Sequence, residues 1–284
     1  MNLTKIFLPL GQAKCFLLTG FMVFAATGFL SVAATVMAQD QLYSSGMDEL
    51  QRTWDAAQVY LPAGSEAEKT RMSGQDLAAV DISGLSVILY AHGCAGLDIA
   101  SETAGIFLSD AGYAVIEPDS FARLNKPVSC KPEIPQGGLH RAVLKWRQEE
   151  VRYAIEKLQQ LPGGAPSRIF LMGLSEGAIT TATFSGVPVA GRIIEGWTCN
   201  AGWPEYNGLN SPEGEPVLSL VGDRDPWFRL LVLQGDCGEF MQGHENTTSL
   251  VYGKGTRLRW EHWLSYDKDV QKTILDFLRK YTAS

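Results

Sequence analysis

The most reactive arrangement in the sequence centres on Ser175. This serine lies in Gly173-Leu174-Ser175-Glu176-Gly177, a G-x-S-x-G pattern between an apolar segment, residues 169–172, and a segment of small residues, 176–184. Where such a pattern joins a strand to a helix, the turn exposes the serine hydroxyl, and the flanking glycines avoid a steric clash. A serine in an ordinary glycine-rich turn is the alternative interpretation. The strand–turn–helix setting favours the first, and we predict that Ser175 is a catalytic nucleophile.

A serine nucleophile needs a neighbouring base, and the sequence offers few candidates. The chain has four histidines: His92, His140, His244 and His262. His262 follows the last strand segment and precedes the final helix, where the chain order serine, acid, histidine requires the base. His244, in a polar loop, is the second candidate. A third interpretation leaves His262 packed between Trp260 and Trp263 with no catalytic role.

The acid that orients the base should end a strand between the serine and the histidine. The apolar segment 217–221 runs into Gly222-Asp223-Arg224-Asp225-Pro226, which offers two aspartates. The spacing after the strand favours Asp225, and Pro226 stiffens the turn that carries it. Asp223 is the alternative acid, or a solvated loop charge paired with Arg224 or a lysine.

Acyl transfer also requires two backbone N–H groups that hold the negative oxygen of the tetrahedral intermediate. We predict that one belongs to Glu176, directly after the nucleophile. The other should lie in the loop His92-Gly93-Cys94-Ala95-Gly96, where Cys94 occupies the donor position. His92 is interpreted as a structural residue of this turn.

The first residues of the chain have the pattern of an export signal. No acidic residue precedes Asp40, residues 15–37 are apolar or small, and Val36-Met37-Ala38 suits a cleavage site. We expect residues 1–38 to be a signal peptide, with an uncleaved N-terminal anchor as the alternative, and residues 39–284 to form a single domain. The protein is therefore expected to be exported, to the periplasm or beyond.

The cysteines agree with export. Beyond the signal segment the chain retains four of them, Cys94, Cys130, Cys199 and Cys237, and an even number in an exported protein suggests disulfides. Because Cys94 and Cys130 follow neighbouring strands, as do Cys199 and Cys237, we hypothesise the pairs Cys94–Cys130 and Cys199–Cys237. Four buried thiols are the alternative.

Strand and helix patterns alternate along the rest of the sequence. Apolar runs predict strands at residues 86–90, 113–116, 169–172, 193–194, 217–221 and 249–252. Helical spacing predicts helices near 98–112, 144–158, 176–184 and 270–281. Residues 121–140, with three prolines and two adjacent glycines, are predicted to be irregular. The alternation is typical of an α/β fold, a mostly parallel sheet with helices on both faces.

Composition excludes several classes of protein. The 284 residues are 45% hydrophobic and 19% charged, which is unlike a disordered chain or a coiled coil. The net charge of −7 makes a nucleic-acid partner unexpected. Neither a phosphate-binding loop nor metal-ligand spacing occurs, so we expect no cofactor and no metal. The partner expected from the serine chemistry is a small-molecule acyl substrate.

Aromatic residues are frequent in the segments that should follow strands near Ser175. They include Trp197, Trp203, Trp227, Trp260 and Trp263, together with Tyr206 and Phe228. They are interpreted as the walls of an acyl or alcohol pocket, or as packing within a layer of loops. Arg123 and Arg224 could meet a substrate carboxylate or form surface ion pairs.

Taken together, several motifs resemble those of the dienelactone hydrolase-like branch of the α/β-hydrolases. These are His92–Gly96, Ala111–Val115, Gly173–Gly177, Gly222–Asp225 and His262, within residues 60–280. The resemblance implies the α/β-hydrolase fold, a sheet of eight strands or slightly fewer, and a Ser175–Asp225–His262 triad. Two features depart from the family. Ser175 replaces its cysteine nucleophile, so its lactone substrate is not carried over, and Glu261 precedes the histidine where a small residue is usual.

The sequence therefore predicts an exported serine hydrolase that cleaves carboxylic esters or related acyl bonds through an acyl-enzyme. A serine peptidase or amidase on the same fold is the alternative among enzymes. The alternative of another class is a non-catalytic binding protein that keeps the hydrolase fold.

Overall fold

The centre of the fold is a pair of parallel strands with nearly continuous apolar sequence. The computed structural model describes residues 46–63, 71–138 and 140–283. Within it, β3 (Ser86–Ala91) and β7 (Arg168–Leu174) lie side by side, in register from Ser86 opposite Arg168 to Ala91 opposite Gly173. All six residues of β3 are buried, as expected for a strand covered on both faces.

Six further strands complete the main sheet. They are β1 (Gln58–Tyr60), β2 (Arg71–Ser73), β4 (Ala114–Glu117), β8 (Arg192–Glu195), β9 (Val217–Gly222) and β10 (Thr247–Tyr252). The order across the sheet is β10-β9-β8-β7-β3-β4-β1-β2. Every neighbouring pair is parallel except β1 with β4 and β1 with β2. A separate hairpin consists of β5 (Cys130–Lys131) and β6 (Gln136–Gly137).

Five α-helices accompany the strands in the described residues. They are α1 (Met47–Asp55), α2 (Ile99–Asp110), α3 (Arg141–Gln159), α4 (Glu176–Thr183) and α5 (Lys268–Thr282). On one face, α2 and α5 pack against alternate strand residues such as Ile88 and Tyr90. On the other face, α1 and α3 pack against the intervening residues, such as Val87 and Leu89. The period of two along β3 therefore sends its side chains into two separate cores.

The predicted fold class is confirmed: this is the α/β-hydrolase arrangement, a mostly parallel eight-stranded sheet with helices on both faces. The predicted strands and helices occur with their ends shifted by a few residues. Residues 121–140, predicted to be irregular, also contain the β5–β6 hairpin. The short elements α1, β1 and β2 were not predicted. β1 and β2 have only three residues each, and α1 has nine residues, with Leu50 and Trp54 on its buried face.

The N-terminal prediction concerns another part of the chain. Residues 1–38 lie outside the described residues, whereas the described residues from 46 onward form one compact unit. None of the helices in the described ranges has the length and apolar character needed to span a bilayer.

Candidate active site

Ser175 occupies the turn between β7 and α4, at the carboxyl edge of the sheet. Its backbone has φ 59° and ψ −118°, a conformation that non-glycine residues rarely adopt. Strain of this kind persists where the surrounding structure over-determines the backbone, as at functional sites. Here the Ser175 N–H donates to the Glu195 carbonyl at 2.9 Å, and the Ser175 carbonyl accepts from the Ile179 N–H. The turn therefore fixes the serine at the junction of strand and helix.

Both glycines of the motif are required by close backbone packing. A Cβ at Gly177 would overlap the carbonyl oxygen of Ala91, on the neighbouring strand β3. A Cβ at Gly173 would overlap the carbonyl of Gly177 and lie 2.6 Å from the Thr181 hydroxyl. The G-x-S-x-G pattern thus allows α4 to cross very close to the strand ends. The flanking glycines avoid a steric clash there, as expected from the sequence.

His262 and Asp225 come together beside this turn. The His262 Nδ1 lies 2.6 Å from the Asp225 Oδ2, and the Asp225 side chain has no solvent exposure. The other carboxylate oxygen accepts from the Trp227 N–H at 2.9 Å. Since Asp225 can only accept when ionised, the proton of the imidazole resides on Nδ1 and leaves Nε2 free to act as a base. Nε2 is buried and has no hydrogen-bond partner among the described residues.

Asp223, the alternative acid, points elsewhere. Its carboxylate accepts two hydrogen bonds from Arg259, at 3.0 Å from Nε and 3.2 Å from Nη2. Asp223 is therefore a loop charge held in an ion pair. Its partner is Arg259, whereas the sequence suggested Arg224 or a lysine. In the turn that follows β9, Asp223 and Asp225 therefore have different partners, Arg259 and His262.

The other three histidines do not line the cavity that contains Ser175. His92 is fully buried at the end of β3, and its Nε2 accepts from the Ser120 N–H. His140 precedes α3, with its N–H donating to the Tyr206 hydroxyl at 2.9 Å. His244 lies in the turn before β10. His92 thus has the structural surroundings that the sequence analysis expected.

The two candidate oxyanion donors flank the serine. Cys94 and Glu176 line the same cavity as Ser175 and His262. Glu176 is the first residue of α4, where the N–H has no partner within the helix. The Cys94 N–H forms no hydrogen bond with the rest of the described chain. A Cβ built on Gly93 would lie 3.7 Å from the Ser175 Cβ, so the loop after β3 approaches the serine closely.

Two disulfides lie near the site. Cys94 is joined to Cys130, with their Cα atoms 5.9 Å apart, and Cys199 is joined to Cys237, with their Cα atoms 4.9 Å apart. These are the two pairs hypothesised from the sequence. The first ties the loop after β3 to the β5–β6 hairpin, while the second is fully buried in a hydrophobic cluster behind the cavity.

The cavity has a volume of about 140 Å³ and a mostly apolar lining. One side, which we call the aromatic wall, consists of Trp197, Trp203, Tyr206, Trp227 and Phe228. Trp227 stacks on the His262 ring at a centroid distance of 5.2 Å, and Trp197 meets Phe228 edge-on at 5.6 Å. Burial raises the pKa of Tyr206 to about 12, so its phenol is neutral at ordinary pH.

Four residues considered as parts of the pocket lie elsewhere. Trp260 is 60% exposed and Trp263 packs against the core beside α5, so the expected set of five pocket tryptophans is reduced to three. Arg123 is buried and bonded to Glu150 at 2.5 Å, and is therefore no partner for a substrate carboxylate. Arg224 is exposed outside this cavity.

Sequence reasoning missed Glu195, the last residue of β8. Its Oε1 accepts from the N–H groups of Leu264 (2.7 Å) and Ser265 (2.6 Å), and its Oε2 accepts from the Ser265 hydroxyl. Burial raises the pKa of this carboxyl above its ordinary value, while these hydrogen bonds oppose that shift. Glu195 therefore anchors the segment just after His262. The only signal in the sequence is an acid that ends the apolar run Ile193-Ile194.

Two further polar residues near the donors were also missed. Arg147, on α3, is buried beside Glu176 and His92, and Ser129 donates its hydroxyl proton to the Glu176 carboxylate. Neither residue belongs to a recognisable motif, because the contacts form only when α3 and the β5–β6 hairpin fold against the sheet edge.

Comparisons with known proteins add a likeness of fold. No family model and no curated protein sequence matches the chain. The solved structures that resemble it include the esterase Pf2001 of Pyrococcus furiosus. The two sequences are 16% identical, the match covers 71% of this chain and 85% of the esterase chain, and the TM-score is 0.48. Est1E from Butyrivibrio proteoclasticus has 12% identity, covers 80% and 94% of the two chains, and has a TM-score of 0.48.

Another similar structure is a protein of Klebsiella pneumoniae provisionally called a dienelactone hydrolase. It is 15% identical, covers 70% of this chain and 88% of its own, and has a TM-score of 0.47. By its own strand order and its helices on both faces, the chain has the α/β-hydrolase fold.

Proposed function

We propose that this protein is an exported serine hydrolase that cleaves carboxylic esters through an acyl-enzyme. The observation that carries the proposal is the shared cavity of Ser175 and His262, with the histidine bonded at 2.6 Å to a buried aspartate. A nucleophile, a base and an acid that orients the base are the three parts needed for acyl transfer by a serine.

The proposed reaction begins when the Ser175 Oγ attacks the ester carbonyl carbon and its proton passes to the His262 Nε2. Asp225 keeps the Nδ1 proton in place and stabilises the imidazolium. The negative oxygen of the tetrahedral intermediate accepts from the N–H groups of Cys94 and Glu176. On collapse, the alcohol leaves with the proton from Nε2. Water then attacks the acyl-enzyme with the help of the same base, which releases the acid and restores Ser175.

Catalytic hydrogen bonds are often longer in the free enzyme than in its complexes. The proposal therefore does not require a hydrogen bond between Ser175 and His262 before substrate binds. The base needs only the right orientation and an available Nε2. Asp225 and Trp227 contact the His262 ring and orient it, and its Nε2 has no partner among the described residues.

The cavity supports a small, largely apolar substrate group. A dry cavity of about 150 Å³ in another protein is known to hold benzene, so about 140 Å³ suits one ring or a short acyl chain. The aromatic wall offers apolar surface and ring edges for such a group. The partner that we propose is accordingly a small-molecule ester, with no cofactor.

Export is supported by two independent features. Residues 15–37 have the composition of a signal segment, and the chain carries two disulfides, which persist in oxidising compartments. We accordingly place the active protein, by proposal, in the periplasm or outside the cell.

The test is hydrolysis of p-nitrophenyl esters of graded acyl length by the full-length protein and by Ser175→Ala. We expect turnover of short-chain esters by the native protein and a loss of about 10⁴-fold or more in the variant. Matched anilides separate an esterase from an amidase. Binding of ester analogues without any turnover would contradict the proposal and favour a non-catalytic protein.

A further inference from the structure

A buried arginine lies between the two segments that carry the candidate oxyanion donors. Arg147, on α3, has only 3% of its side chain exposed. Its Nη2 donates to the His92 carbonyl, and its Nη1 donates to the Glu176 Oε1 at 3.3 Å. His92 precedes Cys94 by two residues, and Glu176 is the other donor residue. One guanidinium therefore bridges the loop after β3 and the start of α4.

His92 continues this bridge toward Cys94. Its Nε2 accepts from the Ser120 N–H at 3.2 Å, so the proton of the neutral ring is on Nδ1. Nδ1 then donates to the Gly93 carbonyl at 2.7 Å. Burial first, and the Arg147 charge second, lower the pKa of His92 well below its ordinary value, which agrees with a neutral ring.

The bond to the Gly93 carbonyl sets the direction of the next N–H. A trans peptide is planar, with its C=O and N–H on opposite sides. Fixing the Gly93 carbonyl therefore fixes the direction of the Cys94 N–H, which donates to no described residue and is available to a ligand.

A second connection closes the network on the other side. The Ser129 hydroxyl donates to the Glu176 Oε2. Ser129 is followed by Cys130, which is joined to Cys94 by the disulfide. Hydrogen bonds, one disulfide and two short stretches of backbone thus form a closed path through both donor residues.

We propose that Arg147, together with His92 and Ser129, is a positioning residue that holds the Cys94 and Glu176 N–H groups at a fixed mutual distance and direction. The inference rests on the proposed function. Neither Arg147 nor His92 lines the cavity, so both act through the donors and not on the substrate. Ser129 does line the cavity, and its hydroxyl donates to the Glu176 carboxylate. An oxyanion hole is effective because its donors are set for the transition state before the reaction begins. Loosening them should therefore lower kcat and leave substrate binding almost unchanged.

The protein contains a close structural control. The Ser120 hydroxyl donates to the Glu150 carboxylate, which also accepts from the Arg123 Nε at 2.5 Å. This Ser–Glu–Arg group is as buried as Ser129–Glu176–Arg147, but its carboxylate contacts neither donor segment. Arg123→Lys is the control variant, because the Arg123 side chain bonds to Glu150 and to neither donor segment, and the change leaves in place Ser120, whose backbone N–H bonds to His92.

The experiment compares Ser129→Ala with Arg123→Lys in the full-length protein. Measurements are kcat and KM for an ester that the native protein cleaves, the inhibition constant of a trifluoromethyl ketone, and the melting temperature. The ketone forms a tetrahedral adduct whose oxygen occupies the oxyanion hole. For Ser129→Ala we expect about a tenfold fall in kcat, unchanged KM and about tenfold weaker ketone binding. For Arg123→Lys we expect a similar loss in melting temperature with kcat within about twofold of native.

Arg147→Lys and Arg147→Met extend the test. The lysine variant should retain more of kcat than the methionine variant, since it keeps a donor near the His92 carbonyl. If the methionine variant fails to fold, the comparison of Ser129→Ala with Arg123→Lys still decides the outcome. Equal kcat values for Ser129→Ala and Arg123→Lys, or a change confined to KM, would overturn this inference alone. No turnover by the native protein would overturn the proposed function as well.

Discussion

The cavity has two sides that are held by different forces. On the polar side, Ser175, Asp225 and His262 are fixed by hydrogen bonds, by a strained turn and by backbone contacts that admit only glycine. On the aromatic wall, rings meet edge-on at centroid distances of 5.6 and 6.1 Å, and Trp227 stacks on His262 at 5.2 Å. Hydrogen bonds have strict geometry, whereas ring contacts allow adjustment.

The difference separates two kinds of effect. A change on the polar side alters groups that would act on the developing charge, so it should appear in kcat. A change in the aromatic wall alters contacts made with bound substrate throughout the reaction, so it should appear in KM and in the preference among acyl groups.

The largest effect is expected at Asp225. Asp225→Asn should lower kcat by about 10⁴-fold while the protein stays folded, because the amide favours the wrong imidazole tautomer. Asp223→Asn is the matched control, since its carboxylate bonds only Arg259 in the described structure, and should change kcat by less than about twofold. Steady-state kinetics of both variants measure this. A larger loss at Asp223 would reverse the assignment of the acid.

The two disulfides provide the next comparison. They span similar sequence separations of 36 and 38 residues, so each stabilises the fold by about 3–4 kcal/mol in the chain-entropy view. Replacing Cys94 and Cys130 by serine should lower kcat about tenfold, because the Cys94 N–H loses a restraint. Replacing Cys199 and Cys237, behind the aromatic wall, should mainly lower stability and raise KM. Non-reducing peptide mapping first establishes the pairing in the native protein. Urea unfolding then measures the stability of both double variants, and steady-state kinetics measure their kcat and KM. Equal kcat values in the two double variants would contradict the division between the polar side and the aromatic wall.

A smaller effect is expected in the aromatic wall. Trp203→Ala enlarges the cavity, so KM for short-chain esters should rise severalfold with kcat little changed, and the preference should shift toward larger acyl groups. Trp260→Ala serves as the control, because Trp260 is 60% exposed and lies outside the cavity. Competition between acetyl and benzoyl esters reports the shift directly. A fall in kcat with no change in KM for Trp203→Ala would contradict the division, because that effect is expected only from residues on the polar side.

Much of the fold follows from the sequence because β3, β7 and β9 are short apolar runs ended by polar turns. The same pattern predicts Ser175, Asp225 and His262, since a serine, an acid and a histidine follow predicted strands in that order along the chain. The contacts of Glu195 and Arg147 could not be predicted. A carboxylate at the end of an apolar strand, or an arginine within a helix, acquires its partners only after distant segments meet. Sequence spacing carries no information about such contacts.

The most direct test of the central claim is labelling with a fluorophosphonate, which reacts covalently with activated serines. We predict stoichiometric labelling of the native full-length protein, with mass spectrometry locating the adduct on the peptide that contains Ser175. Asp225→Asn should be labelled far more slowly, and Ser175→Ala should not be labelled. The account would be contradicted by an unlabelled native protein, or by labelling that persists in Ser175→Ala.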